Sequence, residues 1–559
     1  MTTHLALARW RDGANSSPAR AKLILAQGGS PGYSGKKLTS PFRDGTVLIH
    51  VLDLRRTSIC PPVLRDGFHH SPPSPVATAA DAPPAAKYAQ YNSLVATYHV
   101  ENFGCRATQA DGAAIERQLL ARGLERAPAS VEAEVVVLNT CTVTASADQD
   151  ARAAIRRIHR ENPAARILVT GCYAQRAPDE LSALPGVSLV IGNSHKHELA
   201  NYAVPLRSDT GFVALDQIGL DTASTVIVGD IFAHTELMAA PVFAAGSFEK
   251  TRPNLKVQDG CNNRCSFCII PSVRGRSRSL KLDHVLREVD GLVTGGYREI
   301  VLSGINLGRW GRELTPRMNF AAMLRAILEH TAIEKVRISS VEPMDWTNEV
   351  IELVATSPRI AKHAHVPLQS GSDRILRRMH RKYRPWHYAD RIERIRRAMP
   401  DAAIGADVMV GFPGETDDDF EQTRALIERL PFIYLHVFTY SSRPGTPSAE
   451  MPEQVPVHTA RERNRLLREL AAEKKREFMQ SFVGREVEAI TLTHYDGEFT
   501  EALTDNYLKL RLRGEHQANQ CMRAMIEAVH SDALVGSVAI AELAMGSGLI
   551  GCCCSRSLL

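Results

Sequence analysis

The sequence lacks the features that identify exported and disulfide-bonded proteins. Arg9 and Trp10 interrupt the N-terminal segment MTTHLALARWRDG before its apolar residues reach the length of a signal-peptide core. The 11 cysteines in 559 residues do not form a disulfide framework. In a chain without an export signal, clustered cysteines are more typical of metal sites or catalysis than of bridges. We therefore expect a cytoplasmic protein.

A strong excess of charge of either sign is also missing, and so is a convincing membrane span. The net charge of +5 is compatible with an RNA partner, but many enzymes that never bind RNA share it. The longest apolar run, ALVGSVAIAELAMGSGLIGCCC, contains Glu542 and is rich in glycine, serine and alanine. It predicts a closing strand followed by a frayed tail over 546–559. We expect neither a membrane nor DNA as a partner.

Residues 1–95 show no sustained apolar period. Their clearest segment, SPPSPVATAADAPPAAK, is dominated by proline, alanine and serine. This composition is typical of disordered or linker segments. The sequence predicts that this leader is either disordered or the product of an upstream start codon.

Three short β-rich runs follow, and each ends at a cysteine. ATYHVENFGC, AEVVVLNTC and ARILVTGC end at Cys105, Cys141 and Cys172, and helix-like stretches separate them. The alternation predicts a parallel α/β domain over 96–210. Because the carboxyl ends of parallel strands open on one edge of a sheet, the three cysteines can converge there.

A second series of strand–helix units begins at NLKVQDGC. Its six predicted strands favour an open or partial (β/α)6 barrel over 245–480, with a site at the carboxyl ends of the strands. The last part of this region, 457–482, is charged and helical. Residues 481–545 then alternate apolar and polar side chains between turn signals, which predicts a small antiparallel β-barrel.

The stretch QDGCNNRCSFCIIPSVRGRSRS places Cys261, Cys265 and Cys268 in a C-x3-C-x2-C spacing after the first strand of the second series. Three thiolates suit an iron–sulfur cluster whose fourth iron has no protein ligand. An open metal position can bind a substrate or cofactor. The alternatives are a zinc knuckle with a distant fourth ligand, or reduced thiols without a metal.

This spacing, with Phe267 before the last cysteine, resembles the radical S-adenosylmethionine signature. The resemblance implies that S-adenosylmethionine chelates the fourth iron of a 4Fe–4S cluster, and that its reductive cleavage gives a 5′-deoxyadenosyl radical. NFGCRATQADG, LNTCTVTASAD, VTGCYAQ, HVPLQSGSDRILRRMHRKY and VGFPGET are similar to the methylthiotransferases over residues 97–543. That family implies a second 4Fe–4S cluster on Cys105, Cys141 and Cys172, a C-terminal RNA-binding TRAM domain, an electron donor of the flavodoxin or ferredoxin type, and a sulfur source.

Six further residues are predicted around the S-adenosylmethionine, two by resemblance and four because they follow barrel strands: Glu299, Gly304, Ser340, Glu342, His365 and Gln369. For each of them, the alternative is a hydrogen bond that only shapes a loop. The glycines of GFPGE (411–415) either admit a ligand close to the backbone or permit a turn.

The family's targets are the adenosine just 3′ of the tRNA anticodon, carrying an isopentenyl or a threonylcarbamoyl group, and an aspartate of a ribosomal protein. NFGCR, NTCTVT, GCYAQ and SGINLG most resemble the branch that acts on threonylcarbamoyladenosine. Ala107 and Thr108 depart from that branch and put a loop contact beside Cys105 in doubt. A different class of function, an RNA-binding or redox-sensing protein with structural clusters, stays open.

The basic stretch 374–397 interleaves arginines with Tyr383, Trp386 and Tyr388, a pattern that suits an anticodon loop. The alternative is an amphipathic helix of the barrel. Arginines beside the C-x3-C-x2-C triplet could meet a phosphate or the cofactor's carboxylate: they are Arg274, Arg276 and Arg278. For the other cysteines we predict a barrel residue (Cys521), a solvated tail (Cys552–Cys554) and a position in the leader (Cys60).

Overall fold

The computed structural model describes residues 96–203, 224–233, 237 and 251–539. The predicted leader over 1–95, the tail over 546–559, and Cys60 and Cys552–Cys554 lie outside the described residues. No described helix is long and apolar enough to cross a membrane. The predicted fold class is confirmed in all three of its parts.

The N-terminal domain is a parallel sheet of six strands in the order β2-β1-β3-β4-β5-β6. Helices cover both faces, so the central strand β3 is buried along its length and apolar over its first four residues. The sheet continues past residue 210, the expected end of the domain. Its elements are β1 (Thr97–Asn102), α1 (Arg106–Ala121), β2 (Glu125–Arg126), β3 (Val135–Thr140), α2 (Ala145–Glu161), β4 (Arg166–Gly171), α3 (Cys172–Arg176), α4 (Pro178–Ser182), β5 (Val187–Gly192), α5 (Leu199–Ala203) and β6 (Thr225–Ile227).

The central domain is a partial (β/α)6 barrel. Its parallel strands form two hydrogen-bonded groups, β10-β9-β7 and β11-β12-β13, and the isolated bridges Val336–Ile360 and Ser340–His365 connect them. The strands and their neighbours are β7 (Asn254–Asp259), α6 (Ile270–Arg274), β8 (Arg278–Ser279), α7 (Leu282–Thr294), β9 (Glu299–Gly304), α8 (Phe320–His330), β10 (Lys335–Ile338), α9 (Asn348–Thr356), β11 (His363–His365), α10 (Asp373–Arg378), α11 (Pro385–Ala398), β12 (Ala403–Val410), α12 (Asp417–Arg429), β13 (Tyr434–Thr439) and α13 (Val457–Gln480).

The C-terminal domain is a closed five-stranded barrel in the order β14-β15-β16-β18-β17. Its strands pair antiparallel except β16 and β18, which are parallel, so the predicted barrel is correct apart from one pairing. The strands are β14 (Glu486–Tyr495), β15 (Phe499–Thr504), β16 (Lys509–Arg513), β17 (Cys521–His530) and β18 (Ala533–Val538).

The turn between β15 and β16 connects the C-terminal barrel to the central domain. Arg337 of β10 donates hydrogen bonds to the backbone carbonyls of Thr504 and Asp505. The ring of Tyr507 lies 4.5 Å from that of His363 and accepts a hydrogen bond at its hydroxyl from Arg106 of the N-terminal domain. The three domains therefore meet at this turn.

Candidate functional site

The C-x3-C-x2-C triplet opens into a cavity of about 200 Å³ at the carboxyl ends of the barrel strands. All three of its cysteines line this cavity, together with Phe267 and Asn306. Cys268 N–H donates to the backbone carbonyl of Cys265, which closes a turn in the loop that carries the thiols. The tightly turned loop therefore brings all three cysteines to the same cavity.

Two side chains that the sequence did not single out hold the thiols. Asn306 Nδ2 lies 3.5 Å from Cys261 Sγ, and Arg381 Nη1 lies 3.4 Å from Cys265 Sγ. Arg381 is buried and also pairs with Glu342. Burial raises the pKa of the Cys268 thiol to about 12. A free thiolate is disfavoured here, so a bound metal cation is what would stabilise the deprotonated form.

Four of the six predicted cofactor residues lie in or next to this cavity on the strand ends. Ser340, Glu342 and Gln369 line it directly. His365 lies at the end of β11, 3.4 Å from Asp407, which also lines the cavity.

Gly304 shapes the cavity through its lack of a side chain. A Cβ there would lie 3.0 Å from the Gln258 side chain, and the Oε1 of Gln258 accepts the N–H of Asn306 at 2.7 Å. Gly304 therefore allows the turn that brings Asn306 to Cys261.

Glu299 is placed away from the cavity, and its expected position near the cofactor is wrong in this structure. It begins β9, whereas Gly304 ends it, so the two are about 16 Å apart along the strand. Its carboxylate accepts hydrogen bonds from Arg337 at 2.8 and 3.2 Å and is buried. Side chains at opposite ends of one strand cannot share a site at its carboxyl end, and Glu299 instead neutralises Arg337.

The second triplet converges at the carboxyl edge of the N-terminal sheet. β3 and β4 pair with Thr140 opposite Gly171, so Cys141 and Cys172 leave the sheet side by side. Cys105 follows β1, which is the other neighbour of β3. A Cβ on Gly104 would lie 2.7 Å from Cys141 Sγ, and Gly104 has a φ of +99°. Only glycine lets the Cys105 loop approach Cys141 this closely.

The thiols of the second triplet are close enough to influence each other's charge. Burial, and then the neighbouring Cys172 and Cys105, raise the pKa of Cys141 to about 12. Asn193 Nδ2 lies 3.5 Å from Cys172 Sγ, and the Thr108 hydroxyl lies 3.6 Å from Cys105 Sγ. Thr108, one of the two residues that depart from the family pattern, therefore contacts Cys105.

The loops of the two triplets meet at the junction of the N-terminal and central domains. Cys172 packs against Ile269, which directly follows Cys268, and against Val273 in the next helix. Asn193 donates a hydrogen bond to the backbone carbonyl of Val273 at 2.8 Å and so bridges the same two segments. The geometry places one incomplete thiol set beside the other.

A buried ionic cluster fastens this junction. Asp111 of the N-terminal domain pairs with Lys196 of the same domain and with Lys256 and Arg274 of the central domain. Asp259 pairs with Lys256 and Arg274 as well. All five side chains are less than a tenth exposed.

Arg274 pairs with Asp111 and Asp259 in this cluster. It is therefore not available for the suggested contact with a phosphate or with the cofactor's carboxylate. Arg278 donates to the backbone carbonyls of Arg274 and Arg276, so it supports the same loop. Arg276 is the exposed one of the three arginines.

A second ionic contact lies beside Cys141. Asp148, at the start of α2, accepts hydrogen bonds from the Thr142 hydroxyl and from Arg176, and it pairs with Arg443 of the central domain. The helix begins here because the Thr144 side chain caps it by accepting the N–H of Ala147. Both loops that carry buried cysteines are thus tied to the neighbouring domain.

The basic stretch 374–397 is part of the barrel wall, which agrees with the amphipathic-helix alternative and not with an exposed aromatic platform. Tyr383 and Tyr388 are buried, and their hydroxyls donate to backbone carbonyls of the 366–368 segment. Only Trp386 of the three aromatics is exposed, at 57%. Tyr388 lies on the buried face of α11 with Ile392 and Ile395, as in an amphipathic helix.

Two remaining motifs have structural roles. In GFPGE, Gly411 and Gly414 have positive φ, and Glu415 accepts the N–H of Gly411 and pairs with buried Arg463. This arrangement supports the turn. Cys521 begins strand β17 of the C-terminal barrel, as predicted, and is exposed.

The donor sets fit two iron–sulfur clusters and S-adenosylmethionine. Each triplet offers three sulfur atoms from one locality, and thiolates are the protein ligands of such clusters. In the first cavity, Asn306 Oδ1 and Gln369 Oε1 are buried and accept no hydrogen bond from any described residue. Unpaired buried acceptors of this kind are costly unless a ligand donates to them. They suit the amino group or ribose hydroxyls of the cofactor.

Comparisons with known proteins agree with this geometry. The Radical SAM superfamily matches residues 255–427, and Uncharacterized protein family UPF0004 matches residues 97–192. Two relatives are threonylcarbamoyladenosine tRNA methylthiotransferases MtaB. That of Bacillus subtilis is 37% identical over 75% of this chain and 91% of its own length. That of Aquifex aeolicus is 35% identical over 76% and 99%.

Two further matches lie outside that group. A tRNA-2-methylthio-N(6)-dimethylallyladenosine synthase of Acidothermus cellulolyticus is 38% identical over 70% of this chain and 77% of its own. The solved structure of a radical S-adenosylmethionine methyltransferase, TsrM, from Kitasatospora setae matches with a TM-score of 0.47 and 15% identity, over 64% of this chain and 77% of that one.

Proposed function

Because the chain belongs to the methylthiotransferase family of radical S-adenosylmethionine enzymes, we propose that it methylthiolates the adenosine just 3′ of the anticodon in tRNA. Its substrate is the N6-threonylcarbamoyl form of that nucleoside, as the names of the Bacillus subtilis and Aquifex aeolicus relatives indicate. The observation that carries the proposal is the pair of three-thiol sets, one at the carboxyl edge of the N-terminal sheet and one in the barrel cavity, whose loops pack together where Cys172 contacts Ile269 and Val273.

Two 4Fe–4S clusters and S-adenosylmethionine are the cofactors. When bound, they supply the radical that removes hydrogen from an unactivated C–H bond, and the sulfur and methyl group that replace it. Cys261, Cys265 and Cys268 would hold one cluster, and Cys105, Cys141 and Cys172 the other. The family context also calls for an electron donor of the flavodoxin or ferredoxin type, a sulfur source and the reducing cytoplasm.

The remaining residues of the first cavity position these groups. We propose that Glu342, Ser340 and Gln369 contact the S-adenosylmethionine, with Gly304 and His365 shaping the cavity behind them. Arg381 holds Glu342 and Cys265 in a fixed relation, because one guanidinium contacts both. Its charge also compensates the anionic thiolate.

Analysis of tRNA nucleosides from a deletion strain tests the function. Mass spectrometry should find threonylcarbamoyladenosine without its methylthio derivative, and the intact gene should restore the derivative. The C265A and C141A variants should not restore it, whereas C521A should, since Cys521 lies in the C-terminal barrel. Persistence of the methylthio derivative in the deletion strain would refute the substrate assignment.

Anaerobic reconstitution tests the class of function. A radical enzyme given reductant and S-adenosylmethionine releases 5′-deoxyadenosine, whereas an RNA-binding protein with structural clusters does not.

A further inference from the structure

Three side chains from adjacent barrel strands form a cluster beside the cavity that the C-x3-C-x2-C triplet lines, which we call the cofactor cavity. His365, Asp407 and His436 lie on β11, β12 and β13, and Asp407 is opposite His436 in the strand register. Asp407 Oδ1 lies 3.4 Å from His365 Nε2 and 3.3 Å from His436 Nδ1. In-register neighbours on parallel strands point to the same face, so the sheet itself gathers the three groups.

The cluster lies on the boundary between two cavities. Asp407 lines the cofactor cavity, together with Gln369 and the cysteine triplet. His436 instead lines a larger cavity of about 510 Å³ between the central domain and the C-terminal barrel. Because one hydrogen-bonded pair reaches both cavities, a group bound against His436 is one side chain away from the cofactor.

The larger cavity is lined by apolar side chains and by charged ones, most of which are cations. Six of its side chains are charged. Four are the cations Arg252, Lys475, Lys509 and Arg511, and two are the anions Glu501 and Asp532. Lys509 pairs with Asp532, and Arg511 and Arg252 pair with Asp496 and Glu299 outside the cavity. Cations at the surface favour the phosphate backbone. A nucleotide reaching the cofactor from this side would pass His436.

The ionisation state of Asp407 determines which ring nitrogen of His436 is left to bind a ligand. Burial alone would raise the Asp407 pKa, but the contacts with His365 and His436 lower it below its usual range. An ionised Asp407 holds the Nδ1 of His436, and the Nε2 is left for another partner. The His436 side chain is 63% exposed, so a ligand can reach it.

We propose that His436, oriented by Asp407, contacts the N6 substituent of the target adenosine and selects the threonylcarbamoyl group over a hydrocarbon one. The inference rests on the proposed function and names a specificity residue for it. A threonylcarbamoyl group carries a carboxylate, a hydroxyl and a urea, all able to pair with an imidazole. An isopentenyl group offers none of these. Sites that hydrogen-bond a polar group reject the analogue that lacks it.

The test compares two anticodon stem-loops of one sequence that carry either a threonylcarbamoyl or an isopentenyl group on the target adenosine. Their dissociation constants and kcat/KM values are measured with wild type, H436F and H436Q. His330→Phe is the matched control, because His330 is equally exposed at 63% but lies at the end of α8. Iron and sulfide contents confirm that each variant is loaded.

We expect H436F to weaken binding and kcat/KM for the threonylcarbamoyl RNA by about 10- to 100-fold, the loss of one hydrogen bond to a charged group. The isopentenyl RNA should lose little. H436Q should recover part of the preference, and H330F should match wild type.

Equal losses on both RNAs, or none, would overturn the inference. So would a stoichiometric divalent metal that is lost with His436, since the cluster would then be a metal site. If wild type converted only the isopentenyl RNA, the proposed function would fail instead.

Discussion

Asp111 is the single charge whose removal should most weaken the junction between the two cysteine triplets. In the five-residue cluster, two carboxylates face three cations, and Asp111 contacts all three: Lys196, Lys256 and Arg274. D111N keeps the shape of the side chain but leaves Asp259 as the only anion in that cluster. Breaking a buried ion pair in this way costs about 3–5 kcal/mol.

That cost should be visible in thermal unfolding of the anaerobic, cluster-loaded protein. For a domain of about 150–250 residues, each kcal/mol lowers the unfolding midpoint by about 2–4 °C, so the midpoint should fall by roughly 6–20 °C. A double variant, D111N/K196M, removes one cation together with the anion and returns the cluster to an excess of one positive charge. It should recover at least half of the loss.

The pH dependence supplies an independent check. Burial alone would raise the Asp111 pKa, but Lys196, Lys256 and Arg274 outweigh it and lower the pKa well below its usual value. The folded state therefore binds this proton less readily than the unfolded state. The stabilisation is complete above the unfolded pKa of about 4 and is lost as the pH falls through the lower folded pKa. The difference between wild type and D111N should shrink only below about pH 4.

D283N is the control, because Asp283 forms an exposed pair with Arg287 on α7 and should leave the midpoint unchanged. A shift of less than 2 °C in D111N would refute the reasoning. So would a double variant as unstable as the sum of its two single variants, because its charges would then be uncoupled.

The remaining predictions concern three other sites. C141A should retain about half of the iron of wild type by elemental analysis, since one of two thiol sets stays complete, while C521A should retain all of it; loss of all iron in C141A would contradict separate sites. E299Q should lower the thermal midpoint without changing S-adenosylmethionine affinity in a binding titration, because Glu299 serves its arginine partner away from the cavity; a matching loss of affinity would return it to the site. Y388A should cost about 3–5 kcal/mol of stability in denaturant unfolding, whereas W386A should cost little, because only Tyr388 is buried; a large loss of RNA affinity in Y388A without destabilisation would contradict its role in the core.

Local patterns in the sequence were sufficient for the sheets and for the two triplets. The runs ending at Cys105, Cys141 and Cys172 have the length and apolar content of buried parallel strands, and the rule that such strands open on one edge brings their ends together. Only short-range spacing and topology were needed, and both are written in consecutive residues.

The partners of individual charges could not be predicted in this way. Arg274 pairs with Asp111, 163 positions away, and Arg443 pairs with Asp148, 295 positions away. No periodicity links such residues, so proximity in sequence alone leaves a phosphate or the cofactor as possible contacts of Arg274. The two alternatives for Tyr388 stay open for a related reason: a basic helix that buries its aromatic face and one that exposes it have the same composition.

The buried charges make sense when the two thiol sets are considered together. Residues of a loop that carries a metal ligand must stay fixed relative to the partner loop, because a displacement of an ångström changes reactivity strongly. Asp111 and Asp148 each contact both domains, one near the Cys105 side and one beside Cys141, so two separate ionic contacts restrain the junction against rotation. Hydrophobic contacts such as Cys172 with Val273 are non-directional and would permit sliding. The ion pairs, which have fixed geometry, would define the register in which the two triplets face each other.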